Sequence, residues 1–78
     1  MYPTVTQLKI ADNYVLQIAF DSGERGELDM TPYLNFGVFT RLKNKDEFKK
    51  ARLSFDTVEW PCGVELDPEF VYLKSVKI

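Results

Sequence analysis

The sequence predicts an α+β fold, in which a small antiparallel sheet carries a short helical connection and a C-terminal helix. Three strand-like segments, rich in β-branched and aromatic residues, follow one another in the first 30 residues and are separated by turn residues. Two further strand-like segments lie between residues 51 and 60. Asp67 and Pro68 then form a cap-and-proline pair that opens an amphipathic segment near the end of the chain.

The first three strands are predicted to form a meander. Their segments are VTQLKIA (5–11), YVLQIAF (14–20) and RGELDM (25–30). The turn-like ADN joins the first two, and DSGE joins the next two because Gly23 can adopt a positive φ. Alternation along the second and third strands predicts one core-facing side, carrying Leu16, Ile18 and Phe20 and then Gly26, Leu28 and Met30.

A helical connection is predicted after the meander. Thr31 is the expected cap, Pro32 suits the first helical position, and Gly37 is the expected end. Asn44 with Glu47 three residues later has the pattern of a capping box, which predicts a second short helix.

The second half of the chain is predicted to add two strands and the terminal helix. The strands are ARLSF (51–55) and TVEW (57–60), and the helix runs through EFVYLKSV (69–76). We expect four apolar side chains to fasten this helix to the sheet: Trp60, Leu66, Phe70 and Leu73. Glu65, Glu69 and Tyr72 are expected at a common exposed edge.

Size and charge limit the classes of function. The 78 residues predict one domain, 1–78, and the formal net charge of -2 with a pI near 5.0 gives no positive field that would attract nucleic acid or an anionic membrane. A single cysteine and the absence of a secretion-type leader predict a cytoplasmic protein. We therefore expect no nucleic-acid binding by this chain itself and no membrane association.

The chain contains no histidine, which excludes histidine-based triads, general bases and zinc sites. Cys62 lacks a nearby base and has acidic neighbours, so it is interpreted as an incidental loop thiol. The basic stretch RLKNKDEFKKAR (41–52) is diluted by two acidic residues and is interpreted as a solvated helix surface. The prediction is no catalytic residue, no metal and no cofactor.

One motif carries a resemblance to a known family. The stretch WPCGVELDPEFVYL (60–73), with FDSGERGELDM and VFTRLKNKDEFKKARL before it, resembles domain-of-unknown-function family 2442, whose members are short and mostly bacterial. The residues on the motif are Trp60, Pro61, Gly63, Leu66, Pro68, Glu69 and Tyr72. Cys62 stands where the family often has asparagine, and Glu65 where it usually has aspartate.

The resemblance implies no established activity. Some members of that family carry an added helix-turn-helix domain, and others lie beside genes for a second small protein, as in toxin and antitoxin pairs. This chain ends at Ile78, so we expect it to lack that added domain.

Two hypotheses of function follow. The first is a non-enzymatic protein-interaction or regulatory module that binds another small protein through Trp60, Glu65, Glu69 and Tyr72. A finer form of this hypothesis makes the chain the antitoxin-like member of a pair. Trp60 belongs to the core but precedes a Pro-x-Gly turn, which leaves one edge of the indole for a partner. The alternative is a small ligand-binding protein or enzyme that uses an acidic site around Glu65, Asp67 and Glu69. A homo-oligomer is compatible with both.

Overall fold

The computed structural model describes residues 2–78, which form two small antiparallel sheets, two short α-helices and two 3₁₀ segments. The strands are β1 Val5–Ala11, β2 Val15–Phe20, β3 Arg25–Asp29, β4 Arg52–Ser54, β5 Thr57–Trp60, β6 Val64–Glu65 and β7 Val76–Lys77. The helical elements are 3₁₀ segments Thr31–Tyr33 and Gly37–Lys43 and α-helices α1 Lys45–Phe48 and α2 Pro68–Lys74. The predicted α+β class is confirmed, but the strands form two sheets and not the single sheet that was expected.

The first sheet has the strand order β1-β2-β3-β7, and its first three strands form the predicted meander. The turn between β1 and β2 places both Asn13 and Tyr14 at positive φ, a geometry that matches the twist of a hairpin. Gly23 in the next turn has the expected positive φ. The predicted inner face is buried, as Leu16, Ile18, Phe20, Gly26, Leu28 and Met30 show.

The second sheet has the order β4-β5-β6, and the predicted strands at 51–55 and 57–60 become its β4 and β5. The strand β4 ends at Ser54, so Phe55 lies in the turn with Asp56 and has a φ of +53°. Both β6 and β7 are two residues long and were not predicted, because so short a segment shows no alternation.

The strand β7 replaces the predicted last turn of the C-terminal helix. The helix ends at Lys74, and Ser75 is extended with φ -75° and ψ 143°. Lys77 donates hydrogen bonds to the Tyr72 and Ser75 carbonyl oxygens, and so satisfies backbone groups at the end of the helix. A Cβ on Gly26 would lie 3.0 Å from the Val76 carbonyl oxygen, so glycine permits β7 to approach β3.

The connection between the sheets differs from its prediction in its caps. Thr31 is not the cap of the first 3₁₀ segment, because that position belongs to Met30 and the Thr31 N–H donates to Asp29 Oδ1 at 2.9 Å. Gly37 begins the second 3₁₀ segment and does not end the first. Asn44 caps α1 as predicted, since its side-chain oxygen accepts hydrogen bonds from the backbone N–H groups of Asp46 and Glu47.

One hydrophobic core lies between the sheets and α2, and Trp60 and Leu66 are buried in it as predicted. The indole N–H of Trp60 donates to the Phe48 carbonyl oxygen at 2.8 Å. The helix α2 buries Val71 completely, whereas Leu73 is 57% exposed. The expectation that Leu73 fastens the helix is therefore wrong. Phe70 and Leu73 lie on one side of the helix, as their spacing indicates, but this side is adjacent to the buried side that carries Val71.

Candidate functional site

Helix α2 divides the surface around it into two flanks. Because successive residues are rotated by about 100° around an α-helix, the buried Val71 has Phe70 on one side and Tyr72 on the other. Glu69 and Leu73, four residues apart, lie between these two on the outer side, and both are exposed. Each flank packs against a different part of the chain.

The aromatic flank consists of Tyr33, Phe36, Phe39, Phe70 and Leu73. The Phe70 ring lies edge-on to Tyr33 with centroids 5.0 Å apart and stacks on Phe39 at 6.3 Å. Leu73 follows Phe70 by about one helical turn and extends the same side of α2. Tyr33, Phe39 and Phe70 are only partly buried, so their three rings form a cluster on the surface of the core and not part of its interior.

Two backbone hydrogen bonds fix the spacing of the three aromatic residues of the connection. The Phe36 N–H donates to the Tyr33 carbonyl oxygen at 3.1 Å, and the Phe39 N–H donates to the Phe36 carbonyl oxygen at 3.1 Å. Such three-residue hydrogen-bonded turns place residues i and i+3 close together. Phe36 remains 66% exposed and Leu73 57% exposed. Exposed apolar side chains grouped in this way are typical of an interaction surface.

The polar flank consists of Tyr2, Glu24, Glu69, Tyr72 and Lys77. The Tyr72 hydroxyl donates to both Glu24 carboxylate oxygens, at 2.8 and 3.0 Å, and the Tyr2 hydroxyl donates to Glu69 Oε1 at 3.1 Å. The two tyrosine rings have centroids 5.8 Å apart. The Lys77 ammonium lies 4.1 Å from the centroid of the Tyr72 ring and donates to Ser75 Oγ at 3.0 Å.

The carboxylates of the polar flank raise the pKa of both tyrosines. The hydrogen bond that Tyr72 donates to Glu24, together with desolvation and the negative charge of Glu24, raises the pKa of Tyr72. The hydrogen bond and charge of Glu69 raise the pKa of Tyr2 in the same way. These hydroxyls are therefore hydrogen-bond donors with internal acceptors, and neither is activated as a nucleophile.

The predicted site residues are only partly brought together. Glu69 and Tyr72 are joined through Tyr2, but Tyr72 is half-buried and its hydroxyl is already bonded. Trp60 is 1% exposed, so it has no free edge for a partner, contrary to the expectation from its place before a turn. Glu65 is exposed on β6, where its Cα pairs with that of Glu59.

The carboxylates around α2 do not form a metal cluster. Asp67 caps the helix, since its Oδ1 accepts a hydrogen bond from the Glu69 N–H at 2.8 Å. Across residues 2–78, no group of three or more carboxylate or thiol side chains is arranged to hold a metal ion. Within the same range no helix is both long and apolar enough to cross a membrane.

The turn that contains Cys62 is held by backbone contacts. The Gly63 N–H donates to the Trp60 carbonyl oxygen at 3.1 Å, and Gly63 has a φ of +97°. Arg41 Nη1 donates to the Cys62 carbonyl oxygen at 2.8 Å and so ties the turn to the second 3₁₀ segment. The thiol is half-buried against the core. The predicted turn after β5 is confirmed, and the role of Arg41 was not predicted because the contact spans 21 residues.

Comparison with known proteins gives one match. The family described as "Protein of unknown function (DUF2442)" matches residues 5–77 of the chain. The resemblance carried by the motif from Trp60 to Tyr72 is thereby confirmed. Neither the curated proteins nor the solved structures gave a match.

Proposed function

The chain belongs to the DUF2442 family, and from that premise we propose that it is a non-enzymatic module that binds another small protein through the outer side of α2. The observation that carries the proposal is the exposure of the aromatic flank. Phe36 and Leu73 are both more than half exposed. Leu73 lies on the same side of α2 as the partly buried Phe70, and Phe36 is three residues from both Tyr33 and Phe39, whose rings pack on Phe70. Covering this group would remove apolar surface from water, which is the main source of binding free energy at such sites.

The charges next to the aromatic flank define the chemistry of the partner. The segment 56–69 contains five carboxylates and no basic residue. Of these, Glu69 lies on the outer side of α2 beside Leu73, and the exposed Glu65 precedes the helix. We expect the partner to present an apolar surface bordered by lysine or arginine, because complementary charge around an apolar centre favours encounter and orientation.

The finer proposal is that this chain is the antitoxin-like, regulatory member of a cytoplasmic pair. It is supported by the family resemblance and by the predicted absence of a catalytic site. Glu65 and Glu69 form the acidic border in this proposal. In the same proposal Tyr72 does not contact the partner but stabilises the polar flank. Trp60 is buried in the core and stabilises the turn that leads to α2.

Native capture tests the proposal. The tagged chain is expressed in the organism from which it comes. Proteins and small molecules that copurify with it are identified by mass spectrometry. We expect a small basic protein in stoichiometric amount, retained by Val76→Ser and lost by Leu73→Ser. Val76 is the matched control, because it is 73% exposed but lies on β7 and not on the aromatic flank. A copurifying metabolite or metal, or equal capture by Leu73→Ser, would contradict the proposal.

A further inference from the structure

Phe55 is an exposed and conformationally strained side chain. It lies in the two-residue turn between β4 and β5 and is 100% exposed. Its φ of +53° is uncommon for a residue other than glycine, asparagine or aspartate. The turn is also held in place, because the Asp56 carbonyl oxygen accepts a hydrogen bond from the Val5 N–H at 3.2 Å. A bulky aromatic ring is therefore presented to solvent from a fixed support, with the carboxylate of Asp56 beside it.

A cleft of about 340 Å³ lies between the end of β1 and helix α1. Apolar and aromatic side chains contribute to its lining, namely Ile10, Tyr14 and Phe48. Lys45 and Lys49 also line it, as does the single carboxylate of Asp12. Among residues 2–78 neither lysine forms a salt bridge, so the lining has a net positive charge that is not paired. The cleft is large enough for one aromatic side chain, and its cations suit an adjacent carboxylate.

The turn carries an exposed ring beside a carboxylate, and the cleft has room for a ring beside two lysines. We propose that the occupant of the cleft is Phe55 of a second copy of this chain. The ring of Phe55 packs on Ile10 and Tyr14 of the other copy, and Asp56 approaches Lys45 and Lys49. The charges of the surrounding segments support this contact. Residues 41–52 contain six basic and two acidic residues, whereas all the charged residues of 56–69 are acidic.

The position of both features along β1 permits a reciprocal contact. The turn of Phe55 adjoins Val5 at the start of β1, and the cleft begins at Ile10 near its end. A two-fold axis near Leu8 brings the start of each β1 to the end of the other. The Phe55 turn of each copy then fills the cleft of the other copy, and the dimer is closed. This arrangement places Lys9 opposite Gln7 of the second copy, which avoids a pair of like charges.

The dimer also covers the part of a sheet edge that the chain leaves without a partner. The strand β1 is the edge strand of the first sheet, and within residues 2–78 no strand forms a ladder with it on the side away from β2. The chain covers part of this edge itself, because β4 lies close to β1 and the Asp56 carbonyl oxygen accepts from the Val5 N–H. Leu8 and Ile10 are only partly buried at this edge. Exposed edges of this length are usually protected in native proteins, and the proposed contact supplies that protection.

Sedimentation over a range of protein concentrations tests the dimer. We expect the wild-type chain to show a monomer–dimer equilibrium and Phe55→Asn to raise the dimer dissociation constant at least about tenfold. Asparagine tolerates a positive φ, so this variant keeps its fold, which circular dichroism verifies. The matched control is Phe36→Asn, which removes another exposed ring, 66% exposed, from the aromatic flank and leaves the dimer unchanged. A wild-type chain that stays monomeric at millimolar concentration, or a dimer that Phe55→Asn does not weaken, would overturn the proposal.

An exchange of charges tests the orientation of the contact. Asp56→Lys alone and the double variant Lys45→Glu, Lys49→Glu alone each place like charges together, so we expect each to be monomeric. An equal mixture of the two restores both attractive contacts, and we expect a heterodimer. If the mixture remains monomeric while both variants are folded, Asp56 does not face these lysines and the proposed orientation is wrong.

Discussion

Both flanks of α2 contain aromatic side chains, but the two flanks differ in what those side chains contact. On the polar flank, the hydroxyls of Tyr2 and Tyr72 have carboxylate acceptors, and Lys77 lies against the Tyr72 ring. On the aromatic flank, the rings of Tyr33 and Phe39 pack on Phe70. Phe36 and Leu73 remain open to solvent. The polar flank is thus satisfied within the chain, and the aromatic flank is not.

This difference indicates which flank has more to gain from a partner. A protein that docked on the polar flank would compete with hydrogen bonds that already exist, and it would gain little net free energy. A protein that docked on the aromatic flank would remove exposed apolar surface from water without breaking such bonds. Aromatic content alone does not identify a binding surface; the contacts that the aromatic groups already make are what separate the two flanks.

The largest expected effect comes from Phe70→Ala. Phe70 joins Tyr33 and Phe39 to α2, but it is only partly buried, so we expect a loss of about 2 kcal/mol in the free energy of unfolding. A fully buried phenylalanine would cost about 3 to 5 kcal/mol. Urea unfolding measures the loss. A variant as stable as the wild type would show that the aromatic flank does not hold the helix.

A smaller and pH-dependent effect is expected from Tyr72→Phe. The raised pKa of Tyr72 means that its protonated form is favoured in the folded state. Its contribution to stability is therefore fully present below the unfolded pKa of about 10 and is lost as the pH rises through the higher folded pKa. We expect the melting temperature of the wild type to be higher than that of Tyr72→Phe at pH 8. The difference between the two melting temperatures is expected to shrink above about pH 10.

Tyr33→Phe provides the matched control for that experiment. Within residues 2–78 no side-chain hydrogen bond involves the Tyr33 hydroxyl, although its ring packs on Phe70. We expect its melting temperature to follow that of the wild type at both pH values. A difference between wild type and Tyr72→Phe that persists unchanged at high pH would contradict the role assigned to the hydroxyl.

The smallest effect is expected from Cys62→Asn. The backbone of this residue is held by Arg41, and its thiol makes only partial contact with the core. We expect a change of less than about 1 kcal/mol in the free energy of unfolding and unchanged partner capture. Thermal melts and the capture assay measure both. Loss of capture by a folded Cys62→Asn protein would show that the thiol has a role.

Local signals in the sequence predicted the parts of the fold that depend on local chemistry. The meander, the β4–β5 pair and the caps at Asn44 and Asp67 follow from alternation, turn residues and side-chain hydrogen bonds over two or three positions. The inner side of α2 did not follow, because the spacing of Phe70 and Leu73 does not show from which direction a seven-residue helix meets its core.

The candidate site depends on contacts between residues that are far apart in the sequence, and it does so more than the predicted parts of the fold. The hydrogen bond between Tyr2 and Glu69 spans 67 residues, and the one between Tyr72 and Glu24 spans 48. No periodicity in the sequence indicates either pair. Phe55 was predicted as the last residue of a strand, since β-propensity favours a phenylalanine there and does not reveal a turn with positive φ.

The most direct test of the central claim compares the affinities of two variants for the captured partner by titration calorimetry. Leu73→Ser changes the aromatic flank, and Tyr72→Phe removes the hydroxyl of the polar flank. We predict that Leu73→Ser weakens binding at least about tenfold, because an exposed apolar contact is lost, and that Tyr72→Phe leaves the affinity within about twofold. Weakened binding by Tyr72→Phe together with unchanged binding by Leu73→Ser would contradict the account.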